Sequence, residues 1–174
     1  RKIHTLPPYR SSTKMQLTAL LGRLPEPSAE LIRADVSMRD KNTDEEIEQI
    51  EQACETGFLM HTTAMRMCRE GVVERDIAGT IEGIALSRGA GVSFASIVSQ
   101  HGETLHNHCY DGVLQNGRLL LVDAGAEAVS NYCSDFTRTM PVGGRFSTRQ
   151  KEIYDIVYAA NRKAFELSRP GVPY

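Results

Sequence analysis

Residues 118–126 read RLLLVDAGA. Leu119, Leu120, Leu121 and Val122 form a continuous apolar run of strand length, and such a run has to be covered. The next residue is an acid, Asp123, which an apolar core does not accept without a partner. A second segment, YCSDFTRTMPV at 132–142, is also β-favouring and is ended by Pro141 and the Gly143-Gly144 pair. The two predict an antiparallel hairpin. Centred near Val129, it makes Asp123 and Asp135 direct cross-strand neighbours. Two carboxylates that close and half buried repel each other. They coexist if they share a proton or bind a cation together. Arg138 does not relieve them, because period-two alternation sends it to the face opposite Asp135. Either acid read alone fits a surface or turn aspartate; the pair favours a metal. Carboxylate oxygens suit Mn, Mg, Fe or Co, and Zn where histidine joins them.

Helices precede these strands. Thr43-Asp44-Glu45-Glu46 is a capping box with three acids in the first turn, complementing the helix dipole. Ile47, Ile50, Cys54, Phe58, His61, Ala64 and Met67 or Cys68 follow at helical spacing, and Gly71 ends the run. A second helix is predicted from Glu74 to Arg88, with Ile77, Ile81, Ile84 and Ala85 inward and Gly89 as its stop. Residues 93–99 favour a strand. A further helix starts at Ser147, capped by Gln150, with Ile153, Ile156, Ala160, Ala164 and Leu167 inward. Helices, strands and then a helix predict an α+β fold, with helices covering one face of an antiparallel sheet. Residues 1–36 are broken by several prolines and serines; one short helix fits 15–24, and a helix turn or strand fits 31–36. They read as a connector or the end of a preceding domain, and 37–174 as the domain proper.

Composition narrows the function. With 174 residues, 41% hydrophobic and 24% charged, the chain can bury a core. Its net charge of −2 argues against a nucleic-acid or membrane-surface protein held by charge. No apolar stretch approaches the roughly 20 residues of a membrane span. The four cysteines, 54, 68, 109 and 133, form no CxxC pair and read as reduced thiols of a cytoplasmic protein rather than a zinc site. His101, His106 and His108 cluster in SQHGETLHNHCYDG. His106 and His108 share a face if that segment is extended, but a solvent-facing loop reads equally well.

Three stretches carry a resemblance: MRDKNTDEEIEQIEQACETGFLMHTTAMRMCREG, SFASIVSQHGETLHNHCYDG, and NGRLLLVDAGAEAVSNYCSDFTRTMPVGGRFSTRQKEIYDIVYAANRKAFELSRPG. From about residue 37 onward the sequence resembles the creatinase/aminopeptidase family, the pita-bread metallopeptidases. Within it, it is most similar to Xaa-Pro aminopeptidase (aminopeptidase P) and Xaa-Pro dipeptidase. The resemblance implies the first half of a pita-bread fold. It also implies two divalent metal ions, Mn before Co, Zn or Fe, held by two Asp, one His and two Glu. Asp123 matches the first Asp and Asp135 the bridging one. His106 matches a catalytic histidine that lines the site near the scissile bond. Residues 1–36 match the end of a separate amino-terminal domain.

Two departures accompany the match. Asp123 and Asp135 are 12 positions apart, one more than is usual in the family, which predicts a longer turn or a bulge near 128–130. No histidine follows His108, and Glu152 and Glu166 stand outside the family's glutamate motifs. The chain thus carries two of the five ligands and is expected to be a piece of a longer protein, inactive by itself. The implied activity is hydrolysis of the peptide bond before proline by a hydroxide bridging the two metals, on a peptide substrate, with a homodimer left open. The alternatives are a non-catalytic pita-bread protein that binds peptides or partners, and metal-free creatinase-like chemistry, which the retained acids disfavour.

Overall fold

The computed structural model describes residues 3–173. Contacts divide it into two compact units, one ending at Ile47 and one beginning at Glu48.

The first unit holds α1 (Ser11–Leu21) and α2 (Ala29–Arg39). Gly22 closes α1 with φ 73°, a left-handed backbone that glycine adopts freely. Ser28 caps α2, its hydroxyl accepting from the Leu31 N–H at 3.3 Å. Neither helix buries a residue. The short helix expected at 15–24 therefore starts four residues earlier, and the segment at 31–36 is helix rather than strand.

The long helix α3 runs Asp44–Met67, and its capping box is formed. The Thr43 N–H donates to Glu46 at 2.7 Å, and the Glu46 N–H to the Thr43 hydroxyl at 3.3 Å. The inward stripe keeps His61 and Ala64 of the expected one but not Ile47 or Phe58. Ala53, Thr56, Gly57, Met60, His61 and Ala64 are buried, whereas Phe58 is 69% exposed. Small residues decide the face, because they let the helix approach the sheet. A Cβ on Gly57 would lie 2.7 Å from the Ser134 hydroxyl and 3.0 Å from the Phe136 ring.

Helix α4 (Glu74–Arg88) buries Ile77, Ile81 and Ala85 as its spacing predicts, with Ala78 besides, while Ile84 is only half-buried. Gly89 ends it for another reason than backbone handedness. Its φ is −156°, and a Cβ there would meet the Glu127 carbonyl oxygen at 2.3 Å. The strands are β1 (Gly91–Val92), β2 (Ile97–Ser99), β3 (Leu119–Ala124), β4 (Ala126–Glu127) and β5 (Phe136–Pro141). They pair antiparallel as a three-stranded sheet β2-β3-β5 and a ribbon β1-β4. Leu120, Val122 and Ala124 of β3 join Val98, Met140 and Val142 in one core with Met60, Ala64, Ile77, Ile81 and Ala85. The fold is α+β, with two helices on one face of the sheet.

Helix α5 (Thr148–Leu167) has the Ser147–Gln150 capping box. Its expected inner stripe is not buried: Ile153, Ile156 and Leu167 are 45%, 65% and 56% exposed. No residue of α5 is buried. Its apolar face borders an open groove of about 730 Å³ shared with Leu119, Thr137 and Thr139. Helical spacing identifies an apolar stripe; only neighbouring atoms make it a core.

Truncation separates the two stripes. Ile81→Ala should cost about 2–5 kcal/mol in urea unfolding of the 174-residue chain, and Ile156→Ala less than about 0.5 kcal/mol. Equal losses would contradict the exposure of α5.

Candidate metal centre

Strand β3 is covered on the face of Leu120, Val122 and Ala124. Alternation therefore turns Asp123 to the other face, with Leu119 and Leu121. Its cross-strand partner is Thr137, not Asp135 as expected. The hairpin is centred on Ser130 rather than Val129. The Ala128 N–H donates to the Tyr132 carbonyl at 2.8 Å, the Asn131 N–H to the Ala128 carbonyl at 2.8 Å, and Asn131 takes φ 68°. Asparagine tolerates that left-handed backbone, so the turn absorbs the longer interval.

The correction moves Asp135 by two positions, and side chains repeat every two, so it stays on the face of Asp123. The same register holds beyond β5: the Ser134 N–H donates to the Ala126 carbonyl at 2.9 Å, and Cys133 bridges Glu127. Asp135 then stands opposite Gly125 and diagonal to Asp123, a relation of about 7–8 Å in antiparallel pairs. Gly125 is needed there, since a Cβ would come within 1.8 Å of the Ser134 carbonyl oxygen. Two carboxylates thus flank a corner without a side chain.

Asp123 is half-buried, and its Oδ1 is buried with no hydrogen-bond partner among the described residues. A buried carboxylate oxygen left unpaired is costly, and a cation would satisfy it. Asp135 is exposed. Arg138 pairs across from Val122, lies 5.7 Å over the Phe136 ring and donates to the Thr137 carbonyl at 2.8 Å. The hard oxygen donors and the orphaned Oδ1 fit a divalent ion. Among the described residues no three His, Cys, Asp or Glu gather into a metal-holding group, so the donor set is partial.

The histidines do not converge into a site of their own. His101 donates from Nδ1 to Glu103 at 2.9 Å and accepts at Nε2 from Arg118 at 3.3 Å. That bond to His101 holds the exposed Glu103 carboxyl below its ordinary range. His108 donates from Nδ1 to the Ser96 carbonyl at 3.4 Å. His106 is exposed, and its φ of 51° places a non-glycine residue in the left-handed region. Such backbone is strained and clusters at functional sites.

Two buried titratable groups carried no distinguishing signal in the sequence. His61, placed there only as part of a helix stripe, is 4% exposed and donates from Nε2 to the Ala124 carbonyl at 3.1 Å, beside Asp123. Its ring meets Phe136 edge-on, with centroids 6.1 Å apart. Burial lowers its pKa, opposed by the Ala124 carbonyl and assisted by Arg138. Glu74 is 2% exposed, where the sequence showed only an acid in a first helical turn. The cysteines are all free, and burial raises the Cys68 thiol to about 11.

An antiparallel sheet covered on one face, with two acids on the other, offers carboxylate oxygens to a divalent cation. The sequence model of Metallopeptidase family M24 matches residues 48–174, and the chain belongs to that family. It is 38% identical over 137 residues to Xaa-Pro aminopeptidase of Escherichia coli, covering 77% of this chain and 31% of that protein. It is 37% identical over 138 residues to Xaa-Pro dipeptidase of Pyrococcus furiosus, covering 78% and 39%. Among solved structures, the prolidase of Pyrococcus horikoshii superposes with a TM-score of 0.80 at 30% identity, covering 98% of this chain and 48% of that one. The proline aminopeptidase P II of Yersinia pestis gives 0.72 at 39% identity, covering 77% and 31%. The fold is the pita-bread fold of these chains. The chain spans about a fifth to two fifths of the length of the curated relatives it matches.

The lowered pKa of His61 has a pH signature. Below the ordinary value of 6.5 the unfolded chain takes up a proton that the folded chain refuses. Stability is therefore full above 6.5 and falls as pH drops toward the folded-state value. Urea unfolding between pH 7.5 and 5.5 should show a steeper loss for the unmodified chain than for His61→Gln. Parallel losses would remove His61 as the cause.

Proposed function

We propose that the protein is a metal-dependent exopeptidase that hydrolyses the peptide bond preceding proline. The observation that carries this reading is the buried, unpaired Oδ1 of Asp123 on the same sheet face as Asp135, in a chain of the M24 family. Two divalent ions, Mn foremost, would be held by Asp123 and Asp135 together with ligands outside these 174 residues. Bound there, they would supply an activated water nucleophile and polarise the scissile carbonyl. His106, displayed on an exposed loop, would donate a hydrogen bond to the carbonyl oxygen as charge develops on it. The proline nitrogen bears no N–H, so its site must accept a tertiary amide by shape. Relatives at 37–38% identity are named Xaa-Pro aminopeptidase and Xaa-Pro dipeptidase, which supports this substrate class. The four free thiols accord with a reducing, cytoplasmic setting.

With two of the implied five ligands, the 174 residues by themselves should not turn over substrate. The tests follow. The full-length protein with added Mn should cleave an Xaa-Pro dipeptide or tripeptide, and Asp135→Asn should remove that activity. His106→Ala should lower kcat about 100-fold or more, the scale of a lost oxyanion donor. Calorimetry on the 174-residue chain should show weak Mn binding, with a Kd of about 10⁻⁴ M or above, abolished by Asp123→Asn. Peptide binding without turnover in the metal-loaded full-length protein would replace this reading with that of a non-catalytic peptide-binding relative.

A further inference from the structure

We infer that Glu74 is a positioning residue for His106, its single carboxylate holding together the two ends of the loop that displays that histidine. The inference rests on the peptidase reading for the role of His106. The connection between β2 and β3 runs from Gln100 to Arg118; its segment 101–112, which carries His106, has no helix or strand and ends against the Val73–Val113 bridge. Glu74 Oε1 accepts from the Gln100 N–H at 2.7 Å, and Oε2 from the Gly112 N–H at 3.2 Å. One rigid, planar group thereby fixes both ends. The Glu74 N–H donates in turn to the Gly112 carbonyl at 2.9 Å, so side chain and backbone grip the same residue.

The surroundings are built for this clamp. A Cβ on Gly112 would lie 2.6 Å from the Glu74 carboxyl carbon, so the close approach requires glycine. Gln100 adds a second tie, donating to the Val113 carbonyl at 2.8 Å and accepting from the Gln115 N–H at 3.2 Å. Arg75, the neighbouring cation, is engaged by Asp111 and not by Glu74. A carboxylate that is 2% exposed and bound by backbone donors is expensive to bury. A helix start needs no such group. A loop that must hold His106 at a positive φ does need fixed ends.

Glutamine at 74 keeps the shape but turns one acceptor into a donor that faces a backbone N–H. In the full-length protein, Glu74→Gln should raise amide hydrogen exchange at residues 100–112 about tenfold or more, and leave α3 and β3 unchanged. It should lower kcat for an Xaa-Pro dipeptide with little change in KM. On a His106→Ala background it should have almost no further effect. Gly112→Ala, which displaces the carboxylate without removing its charge, should reproduce both results if Glu74→Gln does not fold. Unchanged exchange at 100–112, or an equal kcat loss with and without His106, overturns the inference. If the unmodified protein does not cleave Xaa-Pro substrates, the peptidase reading fails. The exchange arm still decides whether Glu74 fixes the loop.

Discussion

Strand β3 is buried on one face and open on the other, and the candidate site depends on that asymmetry. Helices α3 and α4 cover Leu120, Val122 and Ala124, which fixes the strand's orientation through apolar burial. Alternation then leaves Asp123 no choice of side. A one-residue slip would drive the carboxylate into the core and expose the apolar residues. The same burial that stabilises the domain thus aims the acid. Small residues make the arrangement tight: Gly57 lets α3 reach the sheet, and Gly125 lets the hairpin close beside Ser134.

The chemistry of the open face is that of oxygen donors in excess of protein partners. Asp123 has a buried carboxylate oxygen without a partner, and Asp135 stands on the same face by register. Behind the sheet, His61 binds the carbonyl of Ala124, and burial lowers its pKa. The two sides of β3 therefore differ in kind. One is an apolar interior; the other carries the acids.

Loops carry the remaining polar groups. His106 sits on one whose ends are tied to α4 by buried hydrogen bonds, while the middle is exposed. A rigid base and an exposed tip is a common way to present a side chain to a ligand.

Local patterns in the sequence determined the capping boxes at Thr43 and Ser147, helix α4 and its buried face, and the apolar strand ended by an acid. Each depends on residues within one turn or one strand, so spacing alone reveals it. Tertiary structure decided the rest. The inward face of α3 went to Ala53, Gly57 and Met60 rather than Phe58, because closeness to the sheet outweighs side-chain hydrophobicity. The apolar stripe of α5 stayed exposed, because burial requires a neighbour as well as a pattern. The hairpin centre moved to Ser130 because Asn131 adopted a left-handed turn. The role of Glu74 was invisible in sequence, since its partners are backbone N–H groups at positions 100 and 112, and a backbone donor leaves no trace in the residue that supplies it.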